Sequence, residues 1–329
     1  MNSRQYFAEK IIASRLRDLV DDQIEPNVKR EDEGGCGVTG FASTVPLAGR
    51  HIFEPSIRMH NRGNGKGGGI AAVGFDHDKL GISREVLDTH YLLNIALLEP
   101  SCLAALKEDF VSPYFDVAHE EILDHIPDYR ELDGLDVKPP DVWRAFVRVK
   151  PDILRTFVQR HGLNEMKGRW PEDEFVSRNS IALNRRFYSS LGEKQAFVLS
   201  HGINMMILKI VGYAENVVKY YKLDDFPAHI WIAHQRYPTR GRVWHPGGAH
   251  PFIGLNEALV HNGDFANYYA VCDYLRQRGI WPQFMTDTEV SVLLFDLWNR
   301  VYGYPLEVII EALAPTGELD FDLLPPEKQ

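Results

Sequence analysis

Long apolar runs are missing from this 329-residue chain. Its most apolar neighbourhood, INMMILKIVGYA, is broken by Asn204, Lys209 and Gly212, and is too short to cross a bilayer. The first twenty residues scatter Arg4, Glu9, Lys10, Arg15, Arg17 and Asp18 among apolar positions, a pattern that predicts an amphipathic helix and excludes a signal peptide. Cysteine is scarce: Cys36, Cys102 and Cys272 form no even framework, which predicts a reducing, cytoplasmic setting, and three dispersed thiols cannot ligate an iron-sulfur cluster. Basic charge is in deficit, and a net charge of −10 argues against nucleic acid as a partner. Thirteen histidines are present, yet none falls in H-E-x-x-H spacing and His119 and His125 stand six apart, so no metal site is predicted. No internal repeat or low-complexity linker divides the chain, whose length suits one large domain or two ordinary ones.

The expected organisation starts with a leader over residues 1–35, whose acidic end at Glu31, Asp32 and Glu33 is open to cutting. GVTGFAS and GGGIAAVGF read as strands, the second entered through a glycine loop. Residues 79–195 change character, with helical spacing in LLNIALLEPSCLAALKEDF, a break at DVKPPDVW, a strand RAFVRV and a helix from Asp152; they read as an α+β insertion. Strand signals return in AFVLSHG, HIWIAHQRY and EALVHNG, followed by helices in FANYYAVCDYLRQRG and DTEVSVLLFDLWNRVYG. Strands and helices alternate without a βαβ rhythm, which predicts a layered α+β sandwich.

Gly63, Gly65 and Gly68 match G-x-G-x-x-G, but the loop precedes a strand where a dinucleotide fingerprint must open a helix. It also lacks the Ser or Thr that a phosphate loop places after its lysine, because Gly67 follows Lys66. Four other features combine into one chemistry. Arg236 offers a planar fork for an α-carboxylate and Asp287 an anion for an α-ammonium, the two ends of a free amino acid. The Asn262 amide and the Gly263 N–H can meet an oxyanion formed on attack at a side-chain amide. Cys36 supplies the thiol, and its own α-amine, once freed by cleavage after Gly35, titrates near pKa ~8 and serves as the base. Each residue alone has a duller reading: a buried thiol, a surface charge, a turn, a helix cap.

In their order along the chain, Cys36-Gly37-Val38, HNRGNGKGGGIA, HQRYPT with Trp244 downstream, AHPF, LVHNGDFANY and TDTEV resemble class II glutamine amidotransferases, the N-terminal nucleophile type, and most of all the amidotransferase part of glutamate synthase. The resemblance covers about residues 36–76 and 195–300. It implies a four-layer αββα sandwich, glutamine hydrolysis through a Cys36 thioester, an oxyanion hole at Asn262 and Gly263, and a substrate pocket formed by Arg236, Asp287 and, more weakly, Thr239 and the Tyr237 backbone. His234 is expected to be structural, and His250 and His261 supporting. No cofactor is expected in this chain; FMN and an iron-sulfur cluster are expected on an ammonia-accepting synthase partner, which would aminate 2-oxoglutarate. The family fold continues with strands beyond TDTE, whereas VIIEALAPTGELDFDLLPPEKQ reads as helical and then acidic, so either the leader or insertion completes the sheet or the chain is a piece of a longer one. The alternatives are an amidotransferase serving a phosphosugar or methylamine, and an unprocessed, non-catalytic glutamine-binding or regulatory subunit.

Overall fold

The computed structural model describes residues 35–165, 168–236, 245–263, 265 and 267–327. The expected leader, Gly35 excepted, lies outside the described residues, as do Tyr237, Thr239 and Trp244.

In chain order the labelled elements begin with β1 (Gly37–Ala48), α1 (Phe53–Arg58), β2 (Gly68–Phe75), α2 (Arg84–Thr89) and β3 (Tyr91–Leu97). There follow α3 (Leu103–Phe110), β4 (Phe115–Ile122), β5 (Asp141–Val149), α4 (Pro151–His161) and α5 (Trp170–Phe187). Next come β6 (Ala196–Ser200), β7 (Met205–Ile210), α6 (Ala214–Tyr220), β8 (Pro227–Gln235), β9 (Phe252–Ile253) and β10 (Ala258–Leu259). The last are α7 (Tyr268–Arg276), α8 (Asp287–Asp296), α9 (Leu306–Leu313) and α10 (Glu318–Phe321). Two four-stranded antiparallel sheets result, ordered β1-β8-β2-β7 and β4-β5-β3-β6, with β9 and β10 as a separate pair. This is an α+β fold.

The sheets share one core. Ile70, Ala72, Met206 and Leu208 of the first sheet join Leu92, Ala96, Val142, Phe146 and Phe197 of the second, with Val217 and Val218 of α6, in a single buried cluster. The opposite face of the second sheet, through Leu93, Ile95, Ala145 and Val147, packs on Leu106 of α3 and on Val176, Leu183 and Phe187 of α5. Each fully buried Leu, Ile or Phe contributes roughly 1.5–3 kcal/mol, so these two interfaces supply most of the driving force for the layering.

Two sequence expectations change here, the class of YLLNIAL and the cap of the helix from Asp152. YLLNIAL, read as part of a helix, is β3, and all seven of its residues are buried. A strand covered on both faces loses its period-two alternation, and its apolar run then resembles a buried helix. The block 79–195, expected as an α+β insertion and as one candidate to complete the sheet, supplies β3, β4 and β5, three of the four strands of the second sheet, and so forms part of the shared core. Its helix α4 starts with Pro151 at the first position, leaving Asp152 in the first turn instead of at the cap.

Candidate active site

The site lies where the first sheet stops. Gly37 and Gly68 both pair with Gln235, so the next residue outward on each of the three strands, Cys36, Gly67 and Arg236, falls at the same end of the ladder. The Arg236 N–H donates to the Gly67 carbonyl at 2.8 Å, and the Asn64 N–H to the Arg236 carbonyl at 3.2 Å, which seats the glycine loop against the arginine. Cys36 is partly exposed and in no disulfide, and the Arg62 Nε donates to its carbonyl at 3.5 Å. Arg236 is only 9% exposed. Burial lowers its pKa from the usual arginine value, and the neighbouring Cys36, Asp287 and Tyr188 oppose that shift.

Asp287 opens α8, where the Thr286 hydroxyl caps the helix by accepting the Glu289 N–H at 3.1 Å. Its Oδ1 accepts the Thr288 N–H at 2.8 Å, and its Oδ2 lies 3.7 Å from His261 Nδ1. Asn262 Oδ1 is 3.6 Å from where a Cβ on Gly35 would sit, which places this side chain beside the residue preceding Cys36. The His261 ring lies over Gly263. The structure therefore brings Cys36, Arg236, Asp287 and Asn262 to one end of the sheet. Thr239 lies outside the described residues.

Behind these groups is a layer of which the motif reading singled out only the histidines, His234 as structural and His250 as supporting. Gly69 pairs with Lys209 on one side and His234 on the other, so the three form a row across one face of the sheet. The His250 carbonyl oxygen sits 2.1 Å from where a Cβ on Gly69 would be, an approach open only to glycine. The His234 and His250 rings stack with centroids 3.9 Å apart, and His250 Nε2 lies 2.9 Å from the Thr288 hydroxyl next to Asp287. Burial holds His234 neutral, with a pKa near 3, and pushes His250 well below the ordinary histidine value, with the cations Lys209 and Arg236 adding to both shifts. The sequence signals for this layer are a lysine alone within the apolar run MMILKI and the third glycine of GGGIAA.

Among the described residues, Asp76, His77 and Asp78 place ligand atoms within 4.8 Å of one another, in a turn where Asp76 Oδ1 accepts the Asp78 N–H. Cys102 and Cys272 are buried. Among the described residues no helix is long and apolar enough to cross a membrane.

No family model matches the chain. An uncharacterized protein of Archaeoglobus fulgidus is 30% identical over 305 residues, which span 91% of this chain and 72% of that protein. The chain belongs to the same family as this archaeal protein. A glutamine–fructose-6-phosphate aminotransferase (isomerizing) of Campylobacter jejuni is 34% identical over 124 residues, 37% of this chain and 20% of the enzyme. The enzyme of the same name from Sulfurisphaera tokodaii is 34% identical over 133 residues, 40% of this chain and 22% of the enzyme. Over part of its length, then, the chain is related to a glutamine amidotransferase, and it spans about a fifth of these two relatives.

Proposed function

We propose that this chain cleaves the side-chain amide of L-glutamine. Cys36 attacks the amide carbon and forms a thioester, ammonia leaves, and water releases L-glutamate. Arg236 takes the α-carboxylate with two parallel charge-assisted bonds and Asp287 takes the α-ammonium, so that the amide end faces the thiol. The Asn262 side chain and the Gly263 N–H stabilise the oxyanion, each such donor being worth about 3–4 kcal/mol. The α-amine exposed by cleavage after Gly35 moves the proton from thiol to leaving group, with no histidine partner needed. The observation that carries this reading is Arg236, buried at the end of the sheet with the Cys36 thiol and the Asp287 carboxylate as its neighbours.

The named relatives above bear on the acceptor. They are aminotransferases of a phosphosugar and not glutamate synthases, so a phosphosugar amination served by this glutaminase fits them better than a glutamate synthase partner carrying FMN and an iron-sulfur cluster. Intact-mass measurement after treatment with an electrophilic glutamine analogue tests the first half. A chain that has lost residues 1–35 and gained one adduct supports the proposal, and a full-length, unlabelled chain supports the binding-subunit alternative. Glutamine-dependent amination of fructose-6-phosphate, against 2-oxoglutarate as comparator, then decides the acceptor.

A further inference from the structure

We propose that Glu289 and Lys209 are a positioning pair that fixes the start of α8, and with it Asp287, against Arg236; this rests on the glutaminase reading above. Glu289 is the third residue of α8 and only 5% exposed. A carboxylate at this place in a capping box reaches back to the N–H of the cap residue. Here it reaches further, accepting the N–H of Phe284 at 2.7 Å and that of Gln283. Between those two residues and the cap sits Met285 with φ of 56°, a left-handed conformation that a residue with a side chain adopts at some strain. One carboxylate thus folds the loop 283–285 back onto the first turn that carries Asp287.

Lys209 faces this arrangement from the sheet, bordering the same small cavity as Glu289. It stands on β7 in the same row as Gly69 and His234, with 2% of its surface exposed and its Nζ 3.7 Å from the centroid of Phe252 and 5.7 Å from that of Phe284. The charged and titratable groups facing Lys209 are Glu289 from α8, Arg236 beyond β8, and the buried imidazoles of His234, His245 and His250. Those facing Glu289 are Lys209, Tyr188, and Tyr268 and Cys272 of α7. Burial raises the carboxyl and lowers the ammonium, bringing both into the neutral range. A cavity of about 60 Å³ bordered by Lys209, Glu289, His201 and Asp296 has room for water, which gives the pair a means of proton exchange. Once protonated, the Glu289 carboxyl has one oxygen turned donor and can no longer accept both N–H groups. The loop is then released and Asp287 loses its setting, so glutamine binding weakens while the thiol chemistry is spared.

The test is steady-state glutaminase kinetics on the processed chain from about pH 5.5 to 8.5, comparing wild type with Glu289→Gln and Lys209→Met. The expected result is a wild-type glutamine KM that rises on the acid side of neutrality, a rise abolished in Glu289→Gln. At neutral pH each variant raises KM about tenfold with kcat within about threefold, and the double variant is no worse than Glu289→Gln. A flat wild-type KM, or variants that lower kcat with KM unchanged, overturns the positioning role. If Glu289→Gln fails to fold, the wild-type profile and Lys209→Met still decide. Absence of any wild-type turnover overturns the glutaminase reading, and this inference with it; turnover with a flat KM overturns this inference alone.

Discussion

The two sheets are built from the same kind of strand and do opposite things. The second is sealed except at its margin β4: β3 is buried throughout, α3 and α5 cover one face, and its cations are tied down by Arg144 to Glu121 at 2.6 Å and by the forked Arg148 to Glu172 at 2.9 and 3.1 Å. The first is open at one margin, where β1 alternates half-buried and exposed residues, and at one end the buried glycines Gly37, Gly67, Gly68 and Gly69 let Met59, Arg236, Tyr213 and His250 close in on the backbone. A sheet packed on both faces has no room for a ligand. Chemistry collects where the ladder ends and side chains are small enough for other groups to approach.

Substitutions can break this contrast. The largest effect is expected from Cys36→Ala, which should lower glutaminase turnover by about a thousandfold or more and leave the melting temperature close to wild type. Phe146→Ala, in the sealed sheet, should do the reverse: roughly 3–5 kcal/mol lost in denaturant titration, with kcat/KM per folded molecule unchanged. Arg236→Lys should raise the glutamine KM about ten- to a hundredfold, because an ammonium cannot reproduce the fork; an unchanged KM would remove Arg236 from the pocket. The smallest effect is in pH. His234, pulled down to about 3, and His245, pulled down to about 4, stay neutral when folded but take up a proton when unfolded, below about 6.5. Stability from these groups is complete above pH ~6.5 and is lost as the pH falls toward their folded values, by up to about 1.4 kcal/mol per unit for each. Urea midpoints taken across that window should fall accordingly, and His234→Gln should flatten the slope.

The open sheet was the more legible of the two. β1, β2 and β8 followed from alternation and glycine punctuation, and the motif residues Cys36, Arg236, Asn262 and Asp287, scattered over some 250 positions, meet at one end of it. The sealed sheet was legible in part, RAFVRV and AFVLSHG reading as strands where β5 and β6 stand; β3 was not, because burial on both faces erases the alternation that marks a strand, and its apolar run passes for a helix. Nor was the layer behind the motifs, its histidines apart. Nothing local to Lys209 or Gly69 indicates that a carbonyl from residue 250 and a carboxylate from residue 289 close over them; that depends on register between β2, β7 and β8. The reach of Glu289 was hidden for the same reason, since TDTE spells an ordinary capping box.

One consequence of the pairing scheme concerns scission of the backbone. The β1–β8 ladder begins at Gly37, and the Cys36 carbonyl is separately tethered by Arg62. Severing the peptide on the amino side of Cys36 would break no rung between Gly37 and Ala48. A terminus made there would stay moored to a marginal strand whose ladder to β8 is unchanged.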